Sequence, residues 1–254
     1  PPASSFFGKG GEGELTPLSE KRRFFESLGI DIVVEFPLNK ETAAIPAELF
    51  VEKVLVKQIN TAYIAAGTDL SFGAGGKGDG RLLCEMSKKW GYEVEIINKI
   101  LYKEREVSSS YVRETVENGD MEMASLLLGR MYGVTGIVES GKRLGRKLGM
   151  PTLNIYPSKD KLLPPNGVYY SIIEWKGIEY KAITNIGYKP TVNDTKAMSV
   201  ETYLYNYEGD LYGEEITVYL AKFKRAEKKF ESVDALREQM QKDVADGREY
   251  HGLK

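Results

Sequence analysis

Apolar and polar positions follow two different rhythms along this chain. Residues 16 to about 128 alternate helix-like and strand-like segments, the pattern of a parallel α/β sheet. Thr16 and Pro17 start a helix that runs through Phe24 and Leu28 and ends at Gly29. IDIVVEF (30–36) reads as a buried strand, a Pro46-led amphipathic helix follows through Leu49, Val54 and Leu55, and AYIAAG (62–67) reads as a second strand. A helix from about Gly80 to Trp90, the strand YEVEII (92–97) and two short helices near 109–117 and 120–128 complete this half. Beyond Gly129 the runs shorten and fill with Tyr, Val, Ile and Thr, which predicts antiparallel β structure. YGVTGIVE, GVYYSIIEW, IEYKAITNI, SVETYLYNY and EITVYLAKF are the expected strands, with Trp175-Lys176-Gly177 as a hairpin turn. Five or six such strands can close a small barrel. Val233, Leu236, Met240 and Val244 then give a final amphipathic helix with Ser232 as its N-cap. The boundary between the halves is expected near 129–132, giving domains 1–129 and 130–254.

Composition narrows the chemistry. The 254 residues carry a net charge of -2 and 42% hydrophobic residues, which fits a globular protein of two domains and argues against general nucleic-acid affinity. No apolar run approaches the ~20 residues that span a bilayer, and PPASSFFGKGGEG lacks the pattern of a signal peptide, so no membrane partner and a cytoplasmic location are expected. The single Cys84 excludes an internal disulfide and a cysteine zinc cluster. The only histidine, His251, is the fourth residue from the end and reads as part of a frayed tail. Triads and zinc sites built on histidine are therefore hard to assemble, and catalysis must lean on carboxylates, cations, hydroxyls and metal.

The densest chemistry lies in GKRLGRKLGMPTLN (141–154), which reads as one short loop. Its glycines let backbone N–H groups approach an anion, and Lys142, Arg143, Arg146 and Lys147 supply charge. The Thr152 hydroxyl and Asn154 carbonyl are hard donors that suit Mg²⁺. A basic surface turn has the same composition. GKGGEG (8–13) and GAGGKG (73–78) both match GxGxxG, but the first follows no strand and the second stands too far from the end of its strand for a tight dinucleotide turn. VSSSYVR (107–113) places serines and Arg113 at a helix start, where they can converge on a phosphate; ordinary N-capping explains the serines as well. In SVETYLYNY, period two sets Glu201 on one face with Tyr203, Tyr205 and Tyr207, either as hydrogen-bond partner to the tyrosines or as general base for an alcohol, with GDLYG (209–213) shaping the site.

GxxxGRxLGxPTxN, then NIGYKPTV (185–192), VETYLYNYEGDLYG (200–213) and KFKRAEKKFES (222–232) before a helix resemble the riboflavin kinase domain of the bacterial bifunctional riboflavin kinase/FMN adenylyltransferase family. GTDLSFGAGGKGD (67–79), VSSSYVR and LLLGRMY (126–132) resemble that family's adenylyltransferase domain. The resemblance implies a nucleotidyltransferase-like (Rossmann-like) α/β domain, incomplete at its N-terminus, followed by a riboflavin kinase β-barrel with a C-terminal helix. It also implies that Thr152 and Asn154 hold Mg²⁺ with the ATP phosphates, that Gly141, Lys142, Gly145 and Arg146 cover the nucleotide, and that Glu201 is the catalytic base. Leu153 stands where the family usually has Ala and is expected to face away from the two ligands. The implied reaction moves the ATP γ-phosphoryl group to the ribityl hydroxyl of riboflavin, giving FMN and ADP, and the family's second activity adenylylates FMN to FAD. Gly67, Asp69, Phe72, Ser109, Ser110 and Arg113 would belong to that second nucleotide site. Family members begin with an HxGH-like segment that does not precede Pro1 here, so the chain reads as starting partway through its first domain, and efficient FAD formation by it is not expected. Two rival readings remain: a dinucleotide-dependent oxidoreductase using GAGGKG, and a flavin-binding or regulatory module without turnover.

Overall fold

A computed structural model describes residues 13–139, 149–190 and 196–253. The chain divides into two compact units, one containing Ile30–Val107 and the other Glu12–Gly29 with Ser108–Lys254. In chain order the helices are α1 (Leu18–Ser27), α2 (Lys40–Ala43), α3 (Ala47–Phe50, continued by a π-helical stretch over Val51–Gln58), α4 (Gly80–Trp90), α5 (Ser109–Glu117), α6 (Met121–Leu128) and α7 (Val233–Tyr250). The strands are β1 (Tyr63–Gly67), β2 (Glu93–Ile97), β3 (Leu101–Tyr102), β4 (Arg105–Glu106), β5 (Tyr132–Glu139), β6 (Leu153–Ile155), β7 (Gly167–Trp175), β8 (Ile178–Pro190), β9 (Lys196–Leu204) and β10 (Glu215–Ala226).

In the first unit β1 and β2 pair in parallel, with α4 as the crossover. Asp79 caps α4 by accepting from the Leu82 N–H at 2.9 Å, and Gly91 ends it at φ +79°, so both helix ends follow from local chemistry. Val51, Ala66, Leu83 and Tyr92 form the buried core. The expected strand at 30–36 does not form: the segment has no regular structure, and Ile32 and Val34 are 78% and 63% exposed. Hydropathy marks a segment as fit for a sheet but cannot supply the neighbour to which a strand must hydrogen-bond.

The second unit is built on a closed antiparallel barrel of order β10-β5-β6-β9-β8-β7. Val134, Val218 and Ile173 lie in register on three neighbouring strands and are wholly buried. A chain of buried hydroxyls joins β7, β8 and β9: Thr184 lies opposite Thr202, with 2.8 Å between the oxygens, and its hydroxyl also lies 2.7 Å from that of Ser171. The β7–β8 hairpin turns through Lys176 and Gly177, both at positive φ, as the Trp-Lys-Gly sequence predicts. Strand β6 was hidden within what the sequence presents as one loop. Its three residues are too few for a period-two signal, yet they pair with both β5 and β9 and thereby close the barrel.

Ser232 caps α7 by accepting from the Ala235 N–H. Arg225 on β10 grips the buried Asp243 of α7 through Nε, 3.1 and 3.0 Å from its two carboxylate oxygens. The Tyr205 hydroxyl donates to the Val244 carbonyl at 2.9 Å. The end of this helix is not frayed. His251 packs its ring against Tyr170, Tyr205 and Tyr250, and its Nε2 lies 3.0 Å from the Ala182 carbonyl oxygen, because the barrel wall offers aromatic surface that sequence position alone does not reveal.

Candidate active site

The site in the barrel follows from strand register. Asn154 on β6 lies opposite Glu201 on β9, and Glu201 lies opposite Asn185 on β8, so three polar side chains form one row across three strands. Residues in register share a face, and alternation places Leu153 and Thr202 on the other one. The row continues to Val168 on β7, which belongs to the cluster packed against Val244 of α7. Glu201 is thus held on the face that the C-terminal helix partly covers. Asn154 is 4% exposed, which makes it a buried amide oriented by its surroundings rather than a solvated one.

A cleft of about 290 Å³ opens here, with Thr152, Asn154, Tyr203, Tyr207, Asp210 and Arg248 among its walls. The 205–214 segment shapes its far side. Asn206 at φ +55° turns the chain out of β9, the fully buried Leu211 anchors the loop, and Gly213 donates to the Val138 carbonyl at 2.9 Å. Asp210 accepts from the Tyr212 N–H at 3.0 Å, fixing the GDLYG turn. This geometry corrects the expected tyrosine face. Tyr203 and Tyr205 remain together, with ring centroids 5.4 Å apart, but β9 ends at Leu204, and Tyr207, beyond the left-handed Asn206, packs against Tyr180 instead. Burial holds the Tyr205 hydroxyl well above the usual tyrosine range, so it serves as a neutral hydrogen-bond donor.

Gly141, Lys142, Gly145 and Arg146 lie outside the described residues. Two residues near the site carried no signal of their own in the sequence. Asn185 opens the NIGYKPTV motif, but only register sets it opposite Glu201. Arg248 lies far along the chain from Glu201 on an otherwise ordinary helix, and tertiary packing alone brings it to the cleft.

The residues expected in the second nucleotide site divide between the units. Gly67, Asp69 and Phe72 belong to the first, and Ser109, Ser110 and Arg113 to the second. Gly67 ends β1, the carboxyl edge where parallel sheets bind ligands. A Cβ at Gly67 would stand 3.0 Å from Asp69 Oδ1. Lys99 lies 3.4 Å from Asp69 and 2.8 Å from Glu106, and the Glu106 contact raises its pKa most. Phe72 packs on Phe50 at 5.8 Å and pairs with Gly78 in a β-bridge. That bridge closes the GAGGKG loop on itself, so the loop is not the tight strand-to-helix turn of a dinucleotide site. Ser108, one residue before the expected pair, is the N-cap of α5, and Arg113 donates to the Gly13 carbonyl at 2.7 Å.

Among the described residues no group of three or more His, Cys, Asp or Glu forms a metal cluster, and no helix is long and apolar enough to cross a membrane. A riboflavin kinase family profile matches residues 128–251 and an FAD synthetase profile residues 1–111. The bifunctional riboflavin kinase/FMN adenylyltransferase of Bacillus subtilis (strain 168) is 32% identical over 247 residues, spanning 93% of this chain and 75% of that protein. The protein of the same description from Escherichia coli (strain K12) is 34% identical over 242 residues, spanning 94% and 76%. A crystal structure described as a macrolide-efflux protein from Streptococcus pneumoniae superposes with a TM-score of 0.79 at 26% identity, over 92% of this chain and 75% of that one.

Proposed function

Because the chain belongs to the bifunctional riboflavin kinase/FMN adenylyltransferase family, we propose that its barrel transfers the γ-phosphoryl group of ATP to the primary ribityl hydroxyl of riboflavin, giving FMN and ADP. The observation that carries this reading is the strand register that sets Glu201 opposite Asn154, which lines the cleft with Thr152. The Glu201 carboxylate takes the hydroxyl proton as the ribityl oxygen bonds to phosphorus and the bond to the ADP oxygen breaks, which leaves a protonated Glu201 to release its proton to solvent. Thr152 and Asn154 offer a hydroxyl and an amide oxygen, neutral hard donors that fit Mg²⁺ only when phosphate oxygens complete its shell. Mg²⁺, when bound, neutralises charge on the β- and γ-phosphates. Gly141, Lys142, Gly145 and Arg146 are assigned to the loop that covers the nucleotide.

Residues 130–254 form the kinase domain in this reading. Residues 1–129 form the adenylyltransferase-like domain, whose reaction is the transfer of AMP from ATP to FMN, with Gly67, Asp69 and Phe72 of the first unit as nucleotide-site residues. The ATP requirement and the lone Cys84 support a cytoplasmic setting. The test is direct: purified chain with riboflavin, ATP and Mg²⁺ is expected to form FMN and ADP in equal amounts. A folded chain that forms neither refutes the proposal. Glu201→Gln is expected to slow turnover by roughly 10²–10⁴-fold while retaining ATP binding, and undiminished turnover removes Glu201 as the base.

A further inference from the structure

Among the described residues the cleft has one cationic wall residue that the kinase chemistry above does not use. Arg248 is contributed by α7, and three features of the fold put it there. Asp243, one turn earlier, is clamped by Arg225 from β10 and lies 3.7 Å from Lys224 Nζ. Gly247, immediately before Arg248, has no side chain, and a Cβ there would fall 2.0 Å from the Tyr205 hydroxyl. The helix therefore approaches the β9 end more closely than any larger residue permits. Arg248 Nη2 then donates to Asn206 Oδ1 at 3.3 Å, and its guanidinium carbon lies 5.5 Å from the Tyr205 ring centroid. A half-buried guanidinium held against a ring and an amide is pre-organised, and it loses little further freedom on meeting a ligand.

We propose that Arg248 is a substrate-binding residue for the flavin ring, donating a hydrogen bond to a carbonyl oxygen of the ring's pyrimidine portion. The proposal rests on the reading of the barrel as a riboflavin kinase. The walls of the cleft combine two chemistries. Thr152 and Asn154 supply hard oxygens suited to phosphate and metal, and Tyr203, Tyr207 and Tyr212, which line the cleft together with Arg248, have rings that suit a planar heterocycle. Isoalloxazine is neutral at pH 7 and presents two ring carbonyls. A planar fork of N–H donors matches such an edge, and the charge strengthens the bond.

The experiment uses the whole chain and two readouts: riboflavin fluorescence quenching on binding, and steady-state KM values for riboflavin and ATP. Arg248→Met is expected to weaken riboflavin binding and raise its KM by roughly 10-fold or more, with KM for ATP unmoved. Arg248→Lys should recover part of the loss. Analogues with sulfur in place of the C2 or C4 carbonyl oxygen should distinguish the ring contact from loop support. The unaltered chain should discriminate against one of them, and Arg248→Met should not. Asn206→Ala provides the counter-test, because it loosens the loop without removing the cation. The proposal is overturned if Arg248→Met leaves riboflavin binding intact, raises KM for ATP instead, or matches Asn206→Ala while retaining discrimination between analogues. Failure of the unaltered chain to form FMN would refute the kinase reading, while the quenching titration still decides whether Arg248 binds flavin.

Discussion

Gly247→Ala separates two opposed effects at one position. In an exposed helix interior, replacing Gly by Ala gains about 1 kcal/mol of helix propensity. Here the new methyl would lie 2.0 Å from the Tyr205 hydroxyl and 3.1 Å from its Cζ, well inside contact distance. Tyr205 cannot swing aside freely: it is 3% exposed, and its ring sits against Tyr203, His251 and Arg248. Accommodation requires α7 to lift from the barrel, at an overpacking cost of about 1–3 kcal/mol. The Tyr205 to Val244 hydrogen bond goes with it, a further loss of about 1 kcal/mol. The net expectation is a destabilisation of about 2 kcal/mol, which lowers the melting temperature of a unit this size by roughly 4–8 °C. Because two compact units can melt separately, the barrel should be followed by Trp175 fluorescence in a Trp90→Phe background. Tyr205→Phe removes the clashing oxygen, so the double variant should be more stable than the two single effects added together. A Gly247→Ala chain that melts at or above the parent temperature would refute the argument that close approach, rather than backbone freedom, places glycine there.

Further expectations concern charge. The Lys161 side chain is 2% exposed and bonds Glu20 at 2.6 Å and the Leu15 carbonyl at 2.9 Å, pinning the segment before α1 to the barrel. Lys161→Met leaves Glu20 without its cation and should cost about 3–5 kcal/mol in urea unfolding; adding Glu20→Gln should recover a substantial part, and additive losses would dismiss the pairing. Alkaline pH should unfold the barrel cooperatively. Burial raises the pKa of Tyr132, Tyr169 and Tyr205, and burial followed by the Glu174 hydrogen bond pushes Tyr219 up to about 12. These groups stay protonated in the fold while the unfolded chain loses protons near pH 10. Their contribution is complete below pH 10 and declines above it. Lys161, whose pKa burial lowers, acts in the opposite sense but is one group against four. Ultraviolet titration should show the tyrosines ionising together with loss of structure, and independent ionisation of all of them in a folded chain would contradict this. Thr184→Val breaks both links of the buried hydroxyl chain and should cost about 1–3 kcal/mol, read as a lower urea midpoint with an unchanged slope.

Elements that announce themselves through local chemistry were legible in the sequence. Asp79 before α4, Gly91 after it, Ser232 before α7 and the Lys176-Gly177 turn each satisfy or redirect backbone groups using only nearby residues. The long strands β7, β8 and β10 repeat their alternation often enough to be read, and the spaced motifs around Thr152, Asn154 and Glu201 identified the family before any coordinates. What tertiary structure alone decided depends on partners distant in the chain. IDIVVEF has the hydropathy of a strand and no pairing neighbour among the described residues. LNI has too few residues to show a period, yet it completes the barrel. Terminal His251 is ordered because three tyrosines surround it, and Arg248 reaches the cleft only because Gly247 lets its helix press against Tyr205. Caps, turns and periodicity are short-range and can be read along the chain; strand pairing and helix docking are free-energy differences between distant segments, and they take a definite value only in the folded protein.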